Sequence, residues 1–168
     1  MRVLAIDPGN TDSAFCLVGS DTLRPLTFAK LPNAEVLAIV RSLPTAIVDA
    51  DVVVIERVAS YGMAVGREVF ETCEWIGRFT EAAVSNGIRV EYIYRKDEKL
   101  HICMDSRAKD ANIRRALIDR FAEHDLKNGR GTKSKPDFFY GFAADIWSSY
   151  AVAITFIETR CEDGQQRD

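Results

Sequence analysis

Apolar residues along the chain fall into two kinds of run, and their spacing separates strands from helices. Val3–Ile6 is continuously apolar and stopped by Asp7-Pro8-Gly9-Asn10, and Asp51–Ile55 is β-branched almost throughout and stopped by Glu56. Runs without alternation belong to strands covered on both faces. Ser13–Val18 and Leu26–Leu31 supply two further strands, consistent with a meander, and Ile88–Tyr94 supplies a fifth. Helical spacing appears at Glu35–Leu43, before Pro44, and at Arg67–Val84, where Phe70, Cys73, Ile76, Gly77, Thr80 and Val84 recur and Asn86-Gly87 closes the run. Asp110–Ala122 carries Ile113, Leu117 and Phe121 on one face, and Ala144–Ile157 is rich enough in Ala, Val and Ile to pack hard against a sheet. The order βββαβαβαα, antiparallel strands first and parallel strands after, predicts an α/β fold: a mixed five-stranded sheet with helices on both faces.

A length of 168 residues with 47% apolar and 28% charged content fits one domain, expected over residues 1–161, with a polar frayed tail at 162–168. The net charge of -3 excludes a global positive field, so any nucleic-acid surface must be local. Lys127–Lys135 (KNGRGTKSK), followed by Pro136, is the one basic run and is expected to be a mobile loop. No apolar stretch approaches the roughly 18 residues needed to span a bilayer, and the first apolar run is too short for a signal-peptide core, which predicts a soluble cytoplasmic protein without membrane partners. Cys16, Cys73, Cys103 and Cys161 are scattered without zinc or disulfide spacing, as idle thiols are.

Three carboxylates stand out by position. Asp7 ends the first strand and Glu56 the apolar strand after the first helix, and carboxyl ends of parallel strands form the crevice where α/β sheets bind ligands. Asp145 opens the last helix. Alone, Asp7 reads as a turn aspartate and Asp145 as an N-terminal helix charge. Buried acids that converge need a cation, and bare carboxylates suit magnesium or manganese.

Val-Leu-Ala-Ile-Asp7-Pro8-Gly9-Asn10-Thr11, Val-Val-Ile-Glu56, Ala108-Lys109-Asp110-Ala111-Asn112-Ile113 and Asp145 entering Ala151-Val152-Ala153-Ile154-Thr155 together resemble the ordered motifs of RuvC-type Holliday junction resolvases. The resemblance covers nearly the whole chain. Tyr61-Gly62-Met63-Ala64-Val65-Gly66, and Tyr140-Gly141 ahead of Asp145 and Trp147, are similar to the phage and prophage branch. The resemblance implies an RNase H-like nuclease domain that cuts four-way DNA junctions, with two magnesium (or manganese) ions about 4 Å apart across the scissile phosphate. Asp7 would bridge both metals, with Glu56 and Asp145 completing one site. Where the family pattern has a further acid one helical turn after Asp145, this chain has Ser148, a weak neutral ligand. Either water, Asp137 or Asp12 substitutes, or turnover is slow and works better in manganese than in magnesium.

The same resemblance implies that Lys109, at the head of the penultimate helix, assists catalysis and, with Lys99, contacts phosphate. Lys127, Arg130, Lys133 and Lys135 are expected to reach the DNA backbone, with a merely solvated charge run as the alternative. Tyr61, Met63 and Arg67 lie where a wedge could open the junction centre, with plain loop packing as the simpler reading for Tyr61 and Met63. His101, His124, Trp75 and Trp147 are expected to be surface or core residues. A symmetric junction suggests a two-fold homodimer, with the Arg67–Val84 helix as candidate interface. Strand-Asp-x-Gly-x-Thr also occurs in sugar kinases and actin-like ATPases, but the chain is too short for their two domains. An RNA- or hybrid-cutting nuclease and a junction-binding module with weak or no cleavage are the alternatives.

Overall fold

The computed structural model describes residues 1–44, 49–60, 62 and 64–160. In chain order the elements are β1 Arg2–Asp7, β2 Asp12–Gly19, β3 Pro25–Pro32, α1 Asn33–Arg41, β4 Val52–Arg57, α2 Arg67–Ser85, β5 Arg89–Tyr94, α3 Arg95–Cys103, α4 Asp110–Phe121 and α5 Ile146–Arg160. The sheet order is β3-β2-β1-β4-β5, with β1 antiparallel to β2, β2 antiparallel to β3, and β1, β4 and β5 parallel. This is the mixed five-stranded sheet that the hydrophobic pattern predicts.

The unbroken apolar runs are explained by helices on both sides. Leu4, Ile6, Val53 and Ile55 face Val36, Val40, Phe79 and Ala83 of α1 and α2. Val3, Ala5, Val52 and Val54 face Ile113, Leu117, Tyr150 and Ile154 of α4 and α5. Each fully buried large apolar side chain contributes about 1.5–3 kcal/mol, and more of them lie on the α4 and α5 side of the sheet. Helix α5 is buried over most of its circumference, which is why its sequence lacks an amphipathic stripe. An aromatic cluster packs against its first turns, in which Phe139 contacts Phe142, Trp147 and Tyr150, while the Tyr150 hydroxyl donates to the Leu23 carbonyl at 2.9 Å.

Three expectations are corrected. Helix α3 does not appear in the sequence reading because RKDEKLHIC is too polar to show a stripe. Helix α5 begins at Ile146 rather than Ala144, because Ala144 has φ +43° and breaks helical geometry there. The Lys127–Lys135 segment is a built loop: Asp125 accepts from its Asn128, Arg130 and Gly131 N–H groups, and Asp137 ties the two flanks together by accepting from Glu123, His124, Asp125 and Phe138. Gly131 is required inside it, with φ +65° and a Cβ that would lie 2.3 Å from the Lys135 carbonyl oxygen. Tyr61, Met63, Cys161 and the 162–168 tail lie outside the described residues. Among the described residues no helix is long and apolar enough to cross a membrane.

Candidate active site

Strand register assembles the site. Residues two apart share a face, so Asp7 follows Val3 and Ala5, and Glu56 follows Val52 and Val54, onto the α5 side. The parallel pairing of Ile6 with Ile55, continued one step, sets Asp7 beside Glu56. Across the same row Asp7 pairs with Ala14, Ala14 with Lys30, and Glu56 with Ile93. Lys30 and Glu56 therefore flank Asp7, and Arg95, two residues past Ile93, continues the α5 face at the head of α3.

The turn after Asp7 is held rigidly. Ser13 Oγ accepts the Gly9 N–H at 3.2 Å and donates to Asn33 Oδ1, and Asn33 Nδ2 donates to the Gly9 carbonyl at 2.9 Å. Gly9 admits no side chain, because a Cβ would meet the Asp12 carbonyl oxygen at 2.3 Å. The Asp-Pro-Gly-Asn segment is thus a clamped turn that fixes where Asp7 leaves the sheet.

Burial, then the neighbouring Glu56 carboxylate, pushes the Asp7 carboxyl up to about 8, with Asp145 adding to the effect and Arg95 opposing it. Burial likewise raises Glu56, against the pull of Arg95. Two half-buried acids side by side, both raised, form an all-oxygen site short of positive charge, and this fits a hard divalent cation. Asp145 sits immediately before α5, half-exposed, with Oδ2 2.6 Å from Lys30 Nζ. Among the described residues no three His, Cys, Asp or Glu side chains are gathered so as to hold a metal ion together. Asp7 and Glu56 are paired, while Asp145 acts on Asp7 through its field and is engaged by Lys30.

Ser148 reaches the same crevice but faces a cation. Arg95 Nη2 lies 3.4 Å from Ser148 Oγ and 2.7 Å from Asp110 Oδ1, while Nη1 lies 2.8 Å from Glu98 Oε2 and 3.6 Å from Glu56 Oε2. Glu98 is fully buried, and its Oε1 has no hydrogen-bond partner. A cavity of about 370 Å³ opens here, lined by Arg95, Asp110, Arg114, Asp145, Trp147 and Ser148. Trp147 is core on one side and carries the Arg114 guanidinium 4.8 Å from its ring on the other.

The remaining predicted residues spread around this centre. Lys99 lies near enough to lower Glu56 and lines a small basic cavity with Arg95 and Lys96. Lys109 is exposed at the head of α4, its N–H donated to Asn112 Oδ1. Lys127, Arg130, Lys133 and Lys135 are exposed on the built loop, and Arg67 is exposed at the start of α2, paired with Glu71. Asp137 is corrected as a substitute ligand: its buried carboxylate is spent on the backbone of its own loop. Asp12 is exposed at the head of β2, and its field falls on Lys30. His101 pairs with Glu158 and His124 with Asp137.

Sequence reasoning missed Lys30, Arg95, Glu98 and Asp110. Arg95 was accessible by the rule that singled out Asp7 and Glu56, being the first residue past a parallel strand's carboxyl end. Lys30 carried a weaker signal as a charge on a strand otherwise read as apolar. Glu98 carried none, while Asp110 stood inside the Ala108–Ile113 motif without being given a role.

No protein-family model matches the chain, and no curated protein matches it in sequence. Among solved structures, RuvC of Thermus thermophilus superposes with a TM-score of 0.67 at 16% identity, covering 96% of this chain and 97% of that one. T. thermophilus RuvC in complex with a Holliday junction substrate superposes with a TM-score of 0.65 at 17% identity, covering 96% of each chain. The chain has the RuvC, RNase H-like fold.

Proposed function

We propose that the chain is a structure-selective endodeoxyribonuclease that resolves four-way DNA junctions by metal-dependent hydrolysis. The observation that carries this reading is the pairing of Asp7 with Glu56 at the ends of adjacent parallel strands, in a fold shared with a RuvC chain solved on a Holliday junction substrate. Asp7, Glu56 and Asp145 would hold the cation, with Ser148 as a neutral oxygen donor. A divalent cation held there would supply Lewis-acid activation of water and charge stabilisation at the scissile phosphate. The chain's own part is to bring two raised carboxylates into the charged state as the cation arrives, to hold Asp145 through Lys30, and to present Arg95 and Lys99 to the phosphate. Lys109 and the loop cations contact the DNA backbone, and Tyr61 and Arg67 act at the junction centre. A cytoplasmic setting and descent from the phage or prophage branch belong to the same reading.

Cleavage of a four-way junction, an RNA–DNA hybrid and a plain duplex, each with magnesium, manganese and EDTA, tests it. Junction cutting in both metals, faster in manganese, and none in EDTA is expected. Preferential cutting of the hybrid would replace the DNA reading. Tight junction binding without cutting in any metal would favour the binding-module reading, to which the Ser148–Arg95 contact lends support.

Two predictions accompany this function. Replacing Lys127, Arg130, Lys133 and Lys135 by alanine weakens junction binding and flattens the plot of log affinity against log salt, by about 0.9 per lost phosphate contact. An unchanged slope returns the loop to a solvated surface. The protein is also expected to be a two-fold dimer through α2, whose outer face exposes Phe70, Cys73 and Val84 beside a groove of about 590 Å³. Light scattering at micromolar concentration checks this: wild type has the mass of two chains and Phe70→Glu that of one, whereas a monomeric wild type with and without DNA rejects it.

A further inference from the structure

The crevice holds more acid than the metal reading uses, and the surplus converges on Arg95. Its guanidinium is about four-fifths buried and faces Glu56, Glu98, Asp110 and Ser148 from one position. The Glu98 carboxylate, fully buried at 2.8 Å, and Asp110, at 2.7 Å, lock it on two sides, so it is a fixed charge rather than a searching side chain. A second divalent ion would share Asp7 and draw on residue 148, the position where the resemblance implies a further acid. On that side Glu56 Oε2 already has the guanidinium at 3.6 Å, and residue 148 offers a hydroxyl within 3.4 Å of the same group. An ion placed there would meet a positive charge where it needs a negative one.

We propose that this chain works with one divalent cation per active centre, held on the Asp7 side. Arg95 supplies, as part of the protein, the positive charge on the scissile phosphate that a second ion would bring. Glu98 is the positioning residue that fixes the guanidinium, and Ser148 is its neutral neighbour, since an acid there would pair with Arg95. The inference rests on the reading of the crevice as a metal-dependent phosphodiesterase, and it changes the number of ions and adds a catalytic residue.

Manganese titrated into the full-length, metal-free chain, alone and on a four-way junction frozen before turnover, tests it by electron paramagnetic resonance. One bound ion per chain with an isolated-ion spectrum is expected. Ser148→Asp is expected to keep that single ion. Removing Arg95 alone leaves the buried Glu98 carboxyl without its partner, so the informative variant is Arg95→Met with Glu98→Gln, its folding checked by circular dichroism. That pair is expected to lower cleavage about 100-fold, and adding Ser148→Asp to it is expected to bring in a second ion, seen as an exchange-coupled pair. A coupled pair in the wild type would overturn the proposal and leave the metal-nuclease reading standing. A wild type that binds no manganese with or without DNA would overturn both. Failure of the triple variant to gain an ion, in a folded protein, would show that Arg95 does not occupy the second site.

Discussion

Asp7→Asn is expected to lower junction cleavage by at least about a thousandfold while raising the melting temperature of the metal-free protein at pH 8. Both effects have one cause. Asp7 is half-buried beside Glu56 and its carboxyl is pushed up to about 8, so its ionised form is unfavourable in the folded chain until a cation arrives. For an acid raised on folding, the unfolded chain ionises first. The metal-free wild type therefore loses stability as pH rises from the ordinary aspartate value near 4 to about 8, and keeps it below that range. Asparagine has the same volume and no charge, and it removes a penalty of about 1–3 kcal/mol at pH 8. Thermal melts in EDTA across pH 4–9 give the result directly, and added magnesium should stabilise wild type more than the variant. Glu56→Gln and Asp145→Asn should also abolish cutting. Equal melting of wild type and Asp7→Asn at pH 8, or near-normal cleavage by the variant, would remove Asp7 from the metal site.

What was legible in the sequence follows from how each feature is encoded. Val3–Ile6 and Val52–Ile55 announce doubly covered strands because both pleat faces are apolar, and their stopping residues, Asp7 and Glu56, mark the crevice. Helix α3 is hidden because its one fully buried residue is Glu98, a charge that only tertiary pairing with Arg95 accommodates. Lys30 is hidden for a related reason: its role depends on three strands standing in register and on Asp145, 115 residues away in sequence. The basic loop looks mobile in one dimension because glycine and lysine dominate it. It is ordered by Asp125 and Asp137, whose bonds run to backbone groups that every residue possesses. Spacing on a helix correctly brings Ser148 to the crevice with Asp145, yet it cannot show that a guanidinium is already there.

Asp137→Asn is expected to destabilise the protein by about 3 kcal/mol, roughly 6–12 °C in Tm, and to weaken junction binding as well. Its Oδ1 accepts from the N–H groups of Glu123 and Phe138, and its Oδ2 from those of His124 and Asp125. Burial alone would raise this carboxyl, but the backbone donors outweigh it and hold the group well below the usual carboxylate range. An amide keeps one accepting oxygen and turns its other end into a donor, so two backbone N–H groups lose their partner and face another N–H. The sign with pH is opposite to that of Asp7. A carboxyl lowered on folding contributes its stability above the unfolded value and loses it as pH falls through the folded one. The gap between wild type and variant should thus be constant from about pH 5 to 8 and narrow below about 4. Because the same bonds shape the loop bearing Lys127, Arg130, Lys133 and Lys135, loosening it spreads those charges over more conformations, and binding loses affinity with little change in salt slope. A variant that melts with the wild type would show that the loop does not depend on this carboxylate, and one that melts lower but binds junctions equally well would separate the loop from DNA contact.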